Sequence, residues 1–131
     1  MKQAIGLLAL VLAALQLGRL LLGGEAVLAL ATAAVALMAL MIAATFLWLW
    51  AVRATPLALG MAFSWLGWGL FAGWGRVTGA PGAPLAVLGF CIVGAVLHFS
   101  VIHRSFGWHG ASFLWPVALS LAVGVLLLAL P

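Results

Sequence analysis

The sequence predicts an all-α integral membrane protein, a compact bundle of about five transmembrane helices, or four as the alternative, joined by short loops. Three observations predict it. Of 131 residues, 69% are hydrophobic and only 5% charged, whereas a soluble domain carries roughly a quarter charged residues to keep its surface in water. The apolar residues fall in runs near the ~20 that a helix rising ~1.5 Å per residue needs to cross ~30 Å of hydrocarbon. Between the runs stand glycine, proline, arginine and tryptophan, the residues of turns and membrane boundaries. The length fits one transmembrane domain, residues 1–131, with no room for a soluble domain beside the spans.

The first predicted span covers 4–22, interrupted by Gln16 and by Arg19, which is near enough to the end to snorkel. Lys2 followed by an apolar stretch resembles a signal peptide. The stretch runs on through Leu22 without a small-residue cleavage site, so a retained span is expected. Gly23-Gly24-Glu25 makes a turn so short that the first two spans must form an antiparallel hairpin. The second span, 26–52, is long enough to tilt and ends in Phe46, Trp48 and Trp50 just before Arg53, the aromatic-then-basic order of a membrane surface. Pro56 opens the third span, 56–74, at a tolerated first-turn position. Residues 77–84 (VTGAPGAP) are the clearest loop, the fourth span covers 85–102, and a polar link leads to the fifth, 111–130.

Charge is scarce and lopsided: Lys2, Arg19, Arg53, Arg76 and Arg104 against Glu25 alone. Five separated cations do not make the clustered basic stripe that tracks phosphates, so nucleic acid is not an expected partner. They read as topology anchors. Lys2, Arg53 and Arg104 fall on one side and Arg19 and Arg76 on the other, a margin that places the amino terminus in the cytoplasm. The expected setting is a multi-pass protein of bacterial inner-membrane type. Cys91 is the single cysteine, so it forms no intrachain disulfide and says nothing about redox compartment.

The same scarcity limits chemistry. There is no aspartate, and one glutamate cannot supply a carboxylate pair. A Ser-His-Asp triad lacks its third member, and no Gly-rich loop ends in Gly-Lys-Ser/Thr. The chain is not expected to be an enzyme.

The three histidines, His98, His103 and His109, lie within one short stretch. On a regular helix His98 and His103 point about 140° apart, so they do not share one ion, and no metal site is expected. His103 and His109, beside Arg104 and Trp108, belong to the interface with water or headgroups. His98 lies about 7.5 Å deeper along its helix than His103, where a polar side chain needs a partner or a function. Cys91, Gly94 and His98 share a face, and Gly94 leaves space above the imidazole. This Gly94-x-x-x-His98 pattern resembles the axial-ligand helix of bacterial light-harvesting polypeptides. The resemblance covers residues 94–98 and implies a tetrapyrrole on His98. The plainer reading is a histidine hydrogen-bonded to a neighbouring helix that its small neighbours allow to come close.

The third span mixes small and aromatic residues. Gly60, Ser64, Gly67 and Phe71 follow helical spacing, and Gly69-x-x-x-Gly73 is a close-packing motif. Trp65 and Trp68 stand beside the groove that Gly67 opens, offering flat walls to a lipid, quinone, carotenoid or chlorin ring; the alternative is plain helix packing. In the first hairpin, Gln16 and Arg19 share a face, and Glu25 is expected to fold back onto Arg19 as an ion pair that pins the turn.

These features favour a small accessory subunit of a larger membrane complex, of respiratory or photosynthetic type. It would pack through its small-residue and tryptophan-rich helices and place a lipid, quinone or pigment. Its partners would be the bilayer and other membrane subunits, or further copies of itself. Two alternatives stay open: an oligomeric transporter or channel for a neutral or anionic solute, and a tetrapyrrole-binding protein using His98. No single cofactor is singled out; a tetrapyrrole, a carotenoid or a quinone each suits these surfaces.

Overall fold

The computed structural model describes residues 2–105, 107 and 114–129. Over these the chain is all-helical: α1 (Lys2–Leu22), α2 (Gly24–Arg53), α3 (Pro56–Thr78), α4 (Leu85–Ser105) and α5 (Trp115–Ala129). The first four are long and apolar enough to cross a membrane. The fifth is described over 15 residues, shorter than a span of about 20; residues 111–113 and 130 of its expected range lie outside the described residues. At ~1.5 Å per residue, the 30 residues of α2 are longer than a ~30 Å hydrocarbon layer, so the helix would cross a bilayer only with tilt.

Each helix boundary has a local cause. Gly23 adopts φ 86°, open to glycine at no steric cost, and turns the chain from α1 into α2 in one residue. At the far end of α2, Ala54 sits in the left-handed region at φ 49° and donates its N–H to the Trp50 carbonyl at 2.6 Å. Thr55 is then extended, as a residue before proline must be, and Pro56 begins α3. Gly79, at φ 68°, closes α3 by donating to the Gly75 carbonyl. Ala54 is the one described non-glycine residue with positive φ, a conformation that costs an L-residue about 1–2 kcal/mol. Ala54→Gly should therefore raise stability by up to about 1 kcal/mol, read as a shift of the unfolding midpoint in detergent, because part of the gain is returned as unfolded-chain entropy.

Several hydroxyl groups on the helices are satisfied within their own turns. Thr32 donates to the Leu28 carbonyl at 2.7 Å, Thr45 to Met41 at 2.9 Å and Ser120 to Pro116 at 2.7 Å. All three side chains are exposed, and this internal pairing is what a helix needs where no water is available.

Among the described residues, the helices pack only against their neighbours in sequence. The α2–α3 and α3–α4 interfaces are extensive; those of α1 with α2 and of α4 with α5 are slight. The tightly packed part is thus three helices with α3 in the middle. Its interior includes Ala36, Ala39 and Ala43 on α2, Ala58, Gly60, Ala62, Gly67 and Gly69 on α3, and Val87 and Gly94 on α4. Positions 36, 39 and 43 fall on one helix face, and 62 and 69 are likewise two turns apart. No large side chain is fully buried among the described residues, while Leu, Val, Met, Phe and Trp side chains cover the outside. Small inside and large apolar outside is the arrangement for lipid, which removes the hydrophobic drive between helices and leaves close packing to hold them.

The Gly69-x-x-x-Gly73 motif faces α2. A Cβ on Gly69 would lie 3.1 Å from the Ala36 carbonyl and 3.0 Å from Leu40, and one on Gly73 would lie 3.5 Å from the Ala36 Cβ.

A candidate ligand site at His98

The opposite edge of α3 sets the position of His98. A Cβ on Gly60 would stand 3.0 Å from the His98 amide nitrogen and 3.1 Å from the Gly94 carbonyl. The bare glycine lets the two backbones meet, and this fixes His98 about one turn inside the start of α3. The last turns of α2 bring Phe46 and Leu49, the link into α3 brings Thr55, Pro56, Leu57, Ala58 and Met61, and α4 adds Val101. Together with His98 they line a cavity of 590 Å³. No charged side chain lines it; Thr55 and His98 are its polar members. A volume of several hundred Å³, walled mostly by apolar groups with one or two polar ones, suits a small organic ligand.

Within the imidazole the two nitrogens differ. Nδ1 is enclosed by protein and has no hydrogen-bond partner, and His98 as a whole is half-buried. The ring packs edge-on against Phe99, centroids 5.9 Å apart and planes at 80°.

The other expected site residues lie elsewhere. Gly94 is buried against α3, and a Cβ there would sit 2.5 Å from the Ser64 amide and 2.7 Å from the Gly60 carbonyl. The space it leaves is filled by that backbone and does not stand open above the imidazole. Gly67 meets α4 in the same way: its Cβ would lie 2.8 Å from the Cys91 amide and 3.0 Å from the Val87 carbonyl. The Cys91 thiol donates to the Ser64 carbonyl at 3.8 Å. The groove beside Trp65 and Trp68 is therefore occupied by α4. Trp68 is 50% exposed and stacks on Phe71, centroids 6.1 Å apart, while Trp65 is half-buried. Neither tryptophan lines the His98 cavity.

Leu49 and Met61 are cavity residues that the sequence did not mark, and Phe46 stood out only as part of the aromatic boundary of the second span. Each is an ordinary apolar residue within a span, and only the meeting of three helices gives them a common surface.

At the first hairpin, Arg19 and Glu25 are both exposed and no ion pair joins them. The expected pair does not form because α2 begins at Gly24, which places Glu25 in its first turn. A carboxylate there favours the helix macrodipole without any partner side chain. Arg19 and Gln16 instead line a shallow apolar groove between α1 and α2 with Val27 and Leu28. His103, expected to meet water or headgroups, is 6% exposed. The helix continues through it to Ser105, so it belongs to the folded helix and not to a loop. His109 lies outside the described residues. Among the described residues no three His, Cys, Asp or Glu side chains come together as a metal site.

The fold and this site describe an all-helical bundle with four helices able to cross a membrane and one apolar cavity bearing a histidine. No protein-family model, curated protein or solved structure matches the chain.

Proposed function

We propose that the chain is a small accessory subunit of a larger membrane protein complex, of respiratory or photosynthetic type, held in a bacterial inner membrane with its amino terminus in the cytoplasm. The observation that carries this reading is the state of α1. It has 21 residues, and among those whose side chains are described only Gly18 is even half-buried, against Val27 of α2. A helix apolar apart from its ends and the Gln16–Arg19 face that gives so little surface to its own chain has its surface free for lipid or for other subunits. On α5, Trp115, Leu119, Leu121, Val123, Val125 and Leu126 are exposed in the same way. A three-helix core held by alanine and glycine, flanked by two helices with unused faces, suits a piece of a larger assembly better than a free-standing catalyst.

Cross-linking in native membranes followed by extraction in mild detergent tests this. The expected result is a defined species in which the chain stands at fixed stoichiometry with another membrane protein, and in which bulky polar substitutions on α1, such as Leu10→Asn, release it while α2–α4 stay folded. A monodisperse species with the mass of one chain, extracted intact from native membranes, would refute the reading.

A further inference from the structure

We infer that the cavity at His98 is a binding site for a neutral quinone ring, held by a hydrogen bond from the His98 Nε2–H to a ring carbonyl. This deepens the reading above, and depends on it only for the bilayer setting.

Nδ1 of His98 has no acceptor near it. A proton on Nδ1 would be a buried, unsatisfied N–H, which folded proteins rarely tolerate, whereas a bare acceptor nitrogen is tolerated more often. The neutral imidazole therefore carries its proton on Nε2. Nε2 is the nitrogen that is not enclosed, and His98 lines the cavity. The site thus offers a donor and calls for an acceptor oxygen on the ligand.

The same fact weighs against a metal or tetrapyrrole. A histidine that ligates through Nε2 holds its proton on Nδ1 and donates it to a carboxylate, carbonyl or water. Here that second partner is missing, and the small-residue seat at Gly94 is filled by α3.

The cavity walls narrow the class further. With Phe46, Leu49, Met61 and Val101 around it and no charge, it excludes an ionised headgroup, which would be stripped of water without compensation. Its 590 Å³ fits one substituted ring with the start of a tail. A phospholipid ester offers the same carbonyl chemistry, and the lipid-substitution arm of the test separates it from a quinone.

The test uses the full chain in lipid nanodiscs, labelled with nitrogen-15 at histidine, with a short-chain substituted benzoquinone as the probe. Nitrogen shifts should show the Nε2–H tautomer for His98, and the Nε2 resonance should move saturably as the quinone is added. Quenching of tryptophan fluorescence should saturate over the same range. His98→Leu should weaken binding about three- to tenfold, the worth of one hydrogen bond. His98→Gln, which keeps a donor, should recover part of it. Leu57→Trp, at an exposed position on the cavity rim, should abolish binding without unfolding the chain. A His98 protonated on Nδ1 would overturn the proposal, as would equal quinone binding by wild type and His98→Leu, or haem uptake with an absorption band that depends on His98. A Nε2 shift that follows a change from ester- to ether-linked lipid, with no quinone present, would assign the site to a lipid carbonyl and overturn it too. Quinone binding and co-assembly are read on separate samples, so failure of one leaves the other standing.

Discussion

Gly94→Ala is expected to destabilise the chain by about 1–3 kcal/mol, although alanine is the better helix former by about 1 kcal/mol. The reason is what surrounds the position. The new methyl would meet the Ser64 amide at 2.5 Å and the Gly60 carbonyl at 2.7 Å. These are backbone atoms of a packed helix, which cannot turn aside as the end of a long side chain can. To admit the methyl, α3 and α4 must separate along their whole contact. In lipid, where close packing is the main term holding helices together, that loss is not offset by hydrophobic burial. Gly89, five residues earlier on the same helix, has nothing within 4 Å of its Cβ direction. Gly89→Ala should therefore stabilise, by up to about 1 kcal/mol. The opposite signs of two identical substitutions on one helix are the check. Unfolding midpoints of the two variants in detergent decide it, and equal shifts would show that α3 and α4 do not meet at Gly94.

The second large effect concerns the other side of α3. Ala39 is 1% exposed at the centre of the α2–α3 interface. Ala39→Leu adds three carbons where there is no room, and overpacking of that size costs about 1–3 kcal/mol, with more where backbone must move. Leu37 and Met38, its sequence neighbours, are exposed, so Leu37→Ala and Met38→Leu should leave stability within about 0.5 kcal/mol of wild type. Thermal unfolding followed by circular dichroism separates the two classes. Should Ala39→Leu prove neutral, α2 packs on α3 through a different face.

Much of the fold was legible in the sequence because its cause is local. Glycine at 23 and 79, proline at 56 and the loss of apolar character over 77–84 each act on the residues beside them, so helix order and turn positions followed directly. Helix ends moved by a few residues. The helices continue past the apolar runs into polar residues: α3 runs through Arg76 to Thr78 and α4 through His103 and Arg104 to Ser105, not to 74 and 102. The site was legible only in part. His98 stood out as a polar side chain deep in an apolar run. Gly94, Gly67, Trp65 and Trp68 looked like walls of a ligand slot, because a glycine that admits a ligand and one that admits another helix leave the same trace in a sequence. Arg19 and Glu25 looked like an ion pair because they are near in sequence and opposite in sign, but the helix start at Gly24 decides where Glu25 stands.

The sequence by itself carried helices fit for a bilayer, since apolar runs near the length of a span in a chain with only 5% charged residues suit lipid better than water. Tertiary structure alone decided which small residues are occupied by backbone and which nitrogen of His98 is enclosed. It also decided that residues from α2, α3 and α4 share one cavity. The physical reason is range: hydropathy and turn chemistry act between neighbours along the chain, whereas a cavity exists only where three helices, far apart in sequence, fail to fill the space between them.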